Sequence, residues 1–179
     1  MFDLTLPETE FFDDSTYTFT ALPPKTYHLE HSLVSVSKWE QKNKKPFVSN
    51  KDKTIGELLD YMRCSCLTNI SDEDLARITR NDIDRYTEYM NDPMTATTFS
   101  EKEGGAPSRK IVTSELIYYW MIASNIPFEC EKWHLNRLLT LIKICGIKNQ
   151  PPKKMSKKQM MSRNAALNKA RRQKHNTSG

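Results

Sequence analysis

Two strongly apolar segments, SELIYYWMIASN and ECEKWHLNRLLTLIKIC, lie close together in the later part of the chain. Both have apolar residues at helical spacing, and the short NIPF connection joins them. Because so short a connection brings a second helix back alongside the first, the sequence predicts an antiparallel helix pair. The second helix is expected to end at Gly146, since glycine is common just past a helix end. We expect this pair to form the core, with the earlier helices packed on it.

Four further helices are predicted before this pair. Apolar residues recur at helical intervals over residues 32 to 42. TIGELLDYMRCSCL opens on Thr54 with Glu57 three residues later, which is the spacing of a capping box. SDEDLARI and NDIDRYTEYM begin on Ser71 and Asn81, residue types that cap helices well, and acidic residues follow in the first turn.

Strand signals are shorter and fewer. STYTFTALPPKTYHLE alternates threonine with aromatic residues and is broken by two prolines, which predicts a short strand pair within residues 1–30. Residues 1–14 mix phenylalanine with acidic residues without a sustained period, so they are predicted to be irregular. A second hairpin is predicted at 94–113, where threonine and aromatic or β-branched residues flank a turn with two glycines.

The chain changes character after the helix pair. Residues 151–179 hold nine Lys and Arg and no acidic residue, which leaves 18 basic against 22 acidic residues, a net −4, in residues 1–150. Ser156 with Gln159 repeats the capping-box spacing, but the helix that would follow has only a thin apolar side. Such a helix buries too little to fold alone, so we expect it to form when a partner holds it.

These patterns predict a mainly α fold. It consists of a small helical domain of about six helices, one or two short β-hairpins and a basic C-terminal helical tail. The expected organisation is an irregular N-terminal arm with a short strand pair (1–30), a helical core domain (31–148) that contains the hairpin at 94–113, and a Pro-linked tail (149–179).

Neither a metal nor a cofactor is predicted. In a helix Cys64 and Cys66 point roughly 160° apart, so they could not face one ion. Cys130 and His134 are four residues apart and share a helical face, but the sequence offers no suitable second pair. The cysteines lie in apolar helical patterns, which favours buried thiols in a reducing compartment.

Catalysis and membrane insertion are not expected either. The acidic residues cluster at predicted helix starts, where capping explains them, and the chain has no glycine-rich phosphate loop and no hydrolase motif. No apolar run approaches the ~18 residues that span a bilayer. The first residues are acidic where a secretory signal would carry Lys or Arg. We therefore expect a soluble, intracellular, non-enzymatic protein with no membrane partner.

The basic tail allows three interpretations. It could bind nucleic acid weakly and without sequence specificity through phosphate contacts, although the acidic body and the lack of interleaved aromatic residues disfavour a dedicated DNA-binding module. It could remain a solvated end. It could also dock as a helix on an acidic protein. The candidate partner-binding residues of the tail are Met160, Arg163, Leu167, Arg171 and Arg172.

Large side chains on the apolar helix pair allow two interpretations. Tyr118, Tyr119, Trp120, Met121 and Trp133 could all pack in the core, or they could line a groove. A groove of this kind would cover the apolar stripe of an amphipathic helix on a partner.

Several blocks of the sequence resemble proteins of tailed bacteriophages and prophages. The blocks are HSLVSVSKWEQK followed by PF, TIGELLDYMRC, MTATTFSE, SELIYYWMIASNIPFECEKWHLNRLLTLIKICGIKN and PPKKMSKKQMMSRNAALNKARRQKHNTSG, and they fall within residues 30 to 179. The group they resemble is the tail assembly chaperone family of long-tailed phages. The resemblance rests on whole blocks, so it assigns no role to a single residue.

The resemblance implies a non-enzymatic protein in the cytoplasm of the infected host cell. It would bind the tape measure protein and keep it soluble until tail-tube subunits polymerise round it. Such families often make a second, longer product by ribosomal frameshifting. A homo-oligomer is compatible with this interpretation. The alternatives are a virion structural component, such as a tail or head completion protein, and a basic-tailed accessory protein that binds nucleic acid.

Overall fold

The computed structural model describes residues 1–14, 17–50, 52–99, 111–149 and 156–176. Helices cover 56% of these residues and two small antiparallel two-stranded sheets are present, so the coarse prediction of a mainly α fold is confirmed. The chain divides into two compact units, Met1–Lys148 and Asn149–Gly179, which are described separately.

The elements follow in chain order. The strands are β1 (Phe2–Leu6), β2 (Thr9–Asp13), β3 (Thr18–Leu22) and β4 (Lys25–Leu29). The α-helices are α1 (Leu33–Asn43), α2 (Ile55–Ser65), α3 (Asp72–Ala76), α4 (Arg80–Asn91), α5 (Ser114–Ala123), α6 (Leu135–Lys148) and α7 (Lys157–His175), and a 3-10 helix (Phe128–Lys132) precedes α6.

The four strands form one long, interrupted β-hairpin. β1 pairs with β4 from Phe2 opposite Leu29, and β2 pairs with β3 as far as Asp13 opposite Thr18. The residue numbers of every facing pair add to 31, so the two halves share one register. The interruption falls where Pro7 and the Pro23-Pro24 pair remove the N–H groups that a ladder needs.

This arrangement differs from the irregular arm and the local strand pair predicted for residues 1–30. β3 does not pair with β4, and residues 1–14 supply two strands. The alternation in FDLTL buries Phe2, Leu4 and Leu6 and turns the polar residues outward. The alternation of buried and exposed residues covers only five positions before Pro7, which is too short to predict a strand from the sequence alone.

A buried charge cluster fastens the hairpin at its interruption. The Arg77 guanidinium donates to the carbonyl oxygens of Pro7 and, at 3.2 Å, of Pro23. It also pairs with the Asp74 carboxylate at 2.8 Å. Asp74 accepts further hydrogen bonds from the Tyr27 hydroxyl at 2.5 Å and the Lys25 ammonium at 2.9 Å. These donors, Tyr27 first, hold the pKa of Asp74 well below its usual range.

We call β1 with β4 the near half of the hairpin and β2 with β3 its far half. The core of the first unit joins the near half to the helices. α1 packs against α2 and α5, and β1 contacts α4. Completely buried side chains come from every one of these elements: Leu4, Leu29, Val36, Trp39, Tyr61, Met62, Tyr86, Ile117, Met121 and Leu138. The core therefore includes the apolar helix pair, as the sequence predicted, together with strands that it did not.

Side-chain caps set most helix starts. Thr54 and Glu57 form the predicted capping box, with the Glu57 N–H donating to Thr54 Oγ1 at 3.2 Å. Ser71 caps α3 as expected. Asn81 was the wrong cap for the next helix, because Thr79 forms a capping box with Asp82 and α4 starts at Arg80.

Two further boundaries differ from the sequence prediction. Gly146 lies inside α6, which continues to Lys148, because no left-handed turn is required there. The segment before α6 forms the 3-10 helix, so α6 begins at Leu135. The turn of the hairpin predicted at 94–113 lies in residues 100–110, outside the described residues, and the flanks 94–99 and 111–113 contain no strand.

The second unit contains the single long helix α7. Ser156 and Gln159 form the predicted capping box, with the Gln159 N–H donating to Ser156 Oγ at 3.2 Å. No residue of α7 is buried. The helix is therefore formed without a packed apolar face of its own.

Candidate partner-binding surfaces

A groove runs between α5 and α6 on the surface of the first unit. Its first depression, of about 350 Å³, has apolar walls from both helices, with one lysine at its edge. The lining residues are Trp120, Ala123, Ser124, Leu139, Ile142, Lys143 and Gly146. We call this depression and its continuation along α6 the α5–α6 groove.

The groove continues toward the start of α6. A second depression, also of about 350 Å³, shares Leu139 and Lys143 with the first and reaches Asn136 and Phe99. The Lys143 ammonium lies 3.8 Å from the centroid of the Phe99 ring. From Asn136 to Gly146 the groove follows eleven residues of α6, about 15 Å at the helical rise. It is therefore long enough for nearly three turns of a partner helix.

Gly146 keeps the groove open at one end. A Cβ added at this position would meet nothing within 4 Å. The residue lies within helix α6 and not in a turn. Because Gly146 lines the groove and has no side chain, a larger residue at this position would narrow the groove without clashing with its neighbours.

The start of α6 is held rigidly against α4. The Leu135 N–H donates to the His31 carbonyl at 2.7 Å. The Asn136 side-chain amide donates to the carbonyls of Met90 at 2.9 Å and Asp92 at 2.7 Å. These bonds satisfy the free carbonyls at the end of α4 and fix one wall of the groove to the body.

Beneath this junction lie two buried histidines. His31 Nδ1 is 2.5 Å from the Tyr61 hydroxyl, and the His31 and His134 ring centroids are 5.1 Å apart. Burial, reinforced by the charges of His134 and Lys53, lowers the pKa of His31 to about 3. Burial lowers the pKa of His134 as well. Both rings are therefore neutral packing groups at ordinary pH.

The structure separates the five groove candidates of the apolar pair. Met121 is completely buried, so its prediction as a partner-binding residue is wrong: it faces the core beside Ile117. Trp120 lines the groove and Tyr119 is 63% exposed next to it. The remaining two aromatic residues lie away from the first depression.

Tyr118 and Trp133 are half-buried and engaged in local contacts. The Tyr118 hydroxyl donates to the Glu131 carboxylate at 2.8 Å. Burial, with this hydrogen bond second, raises the pKa of Tyr118. The Arg137 guanidinium lies 4.2 Å from the centroid of the Trp133 ring. Tyr118 therefore joins α5 to the 3-10 helix, and Trp133 contacts α6 through Arg137.

The tail candidates lie together on α7 in the second unit. Met160 is 49% exposed and Leu167 is 46% exposed, and Arg163, Arg171 and Arg172 are exposed as well.

Residues of α6 and a second surface were missed by sequence reasoning. Leu139, Ile142 and Lys143 line the groove, whereas the sequence candidates on the helix pair were four aromatic residues and Met121. The apolar character of α5 on all sides was the available signal, because one buried face needs fewer apolar residues than SELIYYWMIA supplies. The far half of the hairpin also exposes aromatic rings, which the prediction of an irregular arm concealed.

Comparison with known proteins assigns no function to these surfaces. No protein-family model, curated protein or solved structure matches the chain. Among the described residues, no group of three or more His, Cys, Asp or Glu side chains could hold a metal ion. No helix in the described part of the chain is long and apolar enough to cross a membrane.

Proposed function

We propose that this protein is a tail assembly chaperone of a long-tailed phage, and that its α5–α6 groove binds an amphipathic helix of the tape measure protein. In this role it keeps that helix soluble in the cytoplasm of the infected cell until tail-tube subunits surround it. The observation that carries the proposal is the groove itself, with half-buried apolar walls and with the start of α6 hydrogen-bonded to the body.

The chemistry of the groove fits a helical occupant. Trp120, Leu139 and Ile142 offer apolar contacts in the middle of a groove nearly three helical turns long, which suits a partner helix with apolar residues at positions i and i+3 or i+4. Lys143 at the edge of both depressions would attract an acidic residue beside that apolar stripe. An exposed apolar groove of this kind is typical of a binding surface rather than of a site for catalysis.

A blocking substitution tests the proposal. We expect Gly146→Leu to fill the groove and to weaken binding of tape measure segments by at least about tenfold, or 1.4 kcal/mol. Binding is measured by titrating purified protein with labelled helical segments of a tape measure protein. In co-expression, the same variant should leave the tape measure segment insoluble.

Gly56→Leu is the matched control. Gly56 also lies in a helix, and a Cβ there also meets nothing within 4 Å, but it is remote in sequence from the groove and does not line it. This variant should bind as the parent does. Equal binding by Gly146→Leu would overturn the groove assignment, and recovery of the protein from purified virions would favour the structural-component alternative.

A further inference from the structure

The far half of the hairpin presents an exposed aromatic surface. Phe12 and Phe19 face each other across β2 and β3, and their ring centroids are 5.0 Å apart. The Tyr17 ring lies 6.1 Å from that of Phe12. These three side chains are 46%, 70% and 82% exposed for Phe12, Phe19 and Tyr17 respectively. We call them the hairpin face.

Acidic residues surround the hairpin face. Glu10 lies two residues before Phe12 and therefore on the same side of β2, and Asp14 follows at the turn. Residues 1–24 contain five Asp and Glu and no Lys or Arg. The surface therefore combines exposed aromatic rings with net negative charge, a combination that suits an amphipathic, basic partner.

The same chain supplies a segment with the opposite character. α7 contains seven Lys and Arg and no acidic residue. Met160 and Leu167 are seven residues apart, and Lys157 and Arg171 lie on the same stripe of the helix. Basic residues three or four apart, such as Arg171 and Lys174, repel each other in an isolated helix. External acidic groups would remove that penalty.

We propose that α7 of a second copy of this chain lies on the hairpin face. Both surfaces have exposed apolar side chains, and their charges are opposite. Met160 and Leu167 contact the aromatic rings, and the basic residues of α7 pair with Glu10 and Asp14. Two copies make this contact twice, once in each direction, which gives a closed, symmetric dimer.

The dimensions of the two surfaces agree. The five residues of β2 extend about 17 Å, at ~3.4 Å per residue. Met160 and Leu167 are about 10.5 Å apart along the helix axis, so both fit within the length of β2. Lys157 and Arg171 are about 21 Å apart, which places one cation at or beyond each end of the strand.

Reciprocal charge reversal tests this pairing in the full-length chain. One variant carries Glu10→Lys with Asp14→Lys, and the other carries Lys157→Glu with Arg171→Glu. All four side chains are exposed, so both variants should fold as the parent does, which thermal melting checks. Association is measured by sedimentation equilibrium at low and high salt.

The parent is expected to dimerise, with affinity that falls as salt rises. Each variant alone should dimerise at least about tenfold more weakly, a loss of 1.4 kcal/mol. An equimolar mixture of the two should regain the parent affinity, because each positive surface then meets a negative one. This restoration excludes misfolding as the cause of the individual losses.

Three results would overturn the proposal. The parent could remain monomeric at every concentration, the charge-reversed variants could dimerise as tightly as the parent, or their mixture could fail to regain affinity. A monomeric parent whose α7 amides are protected from hydrogen exchange would indicate docking within one chain and would also overturn it. The α5–α6 groove is untouched by these substitutions, so tape measure binding provides an independent readout.

Discussion

The two halves of the hairpin share one strand register but differ in what covers them. In the near half, β1 and β4 bury Leu4, Leu6 and Leu29 in the core. In the far half, every residue of β3 from Thr18 to Ala21 is exposed, and Phe12 opposite it is 46% exposed. The same backbone geometry therefore buries apolar side chains in the near half and leaves them exposed in the far half.

The boundary between these halves is built by specific residues. Prolines interrupt the ladder, and Arg77 donates to one carbonyl oxygen on each arm of the hairpin at this interruption. Since Arg77 is itself paired with the buried Asp74, the body holds the hairpin at its midpoint.

Truncating one buried and one exposed apolar residue should separate the two halves most clearly. Leu4 is completely buried, so Leu4→Ala should lower the free energy of unfolding by about 3 kcal/mol through lost burial and the cavity left behind. Phe19→Ala should change it by no more than about 0.5 kcal/mol, because the ring is already largely in water. Urea unfolding at low protein concentration measures both. A comparable loss in the two variants would mean that the far half is packed.

Breaking the charge cluster should loosen the near half almost as strongly. Asp74→Asn leaves the buried Arg77 guanidinium without its counter-charge, and we expect a loss of about 3 kcal/mol. Asp84→Asn is the control, because its partner Arg80 is exposed and such pairs contribute about 0.5 kcal/mol or less. Chemical denaturation of both variants checks this. If Asp74→Asn matches the control, the cluster does not hold the hairpin.

Acid should weaken the body through its buried histidines. The pKa of His31 is about 3 in the folded chain, below the ordinary value of 6.5, so the unfolded chain gains a proton that the folded chain does not. Stability is fully present above pH 6.5 and falls by about 1.4 kcal/mol per pH unit as pH decreases toward 3. His134 acts in the same direction, since its pKa is also lowered.

Urea unfolding between pH 7 and pH 5 tests this, with an expected loss of about 2 kcal/mol from His31. His31→Gln should flatten the dependence, although it lowers stability throughout. His28→Gln is the control, because the His28 side chain is 51% exposed. A stability that does not change over this pH range would contradict the burial of a neutral His31.

Local signals in the sequence predicted the helices well. The capping boxes at Thr54 and Ser156 depend on residues three apart, so the sequence contains all the information needed to place them. The Asn81 error has the same local origin, since Thr79 with Asp82 was an equally short signal in competition. Helix existence was therefore predictable, whereas the exact start depended on which cap formed.

Long-range contacts were beyond such signals. The pairing of Phe2 with Leu29 joins residues far apart in sequence, and only their burial together stabilises the ladder. The groove likewise depends on how α5 and α6 pack, which decides that Trp120 lines a depression while its neighbour Met121 enters the core. Residue type alone could not separate these two positions.

Removing the basic tail should have the smallest effect on the body. No residue of α7 is buried, so a chain ending at Asn149 loses little apolar burial, and we expect a change of about 1 kcal/mol or less in the free energy of unfolding. The measurement is a thermal melt at low protein concentration. At high concentration the two chains should diverge, because association stabilises only the form that can dimerise. The melting temperature of the full-length chain should therefore rise with concentration, and that of the truncated chain should not. A large loss at low concentration would show that α7 packs on its own body, and a concentration dependence that survives truncation would place the self-association elsewhere.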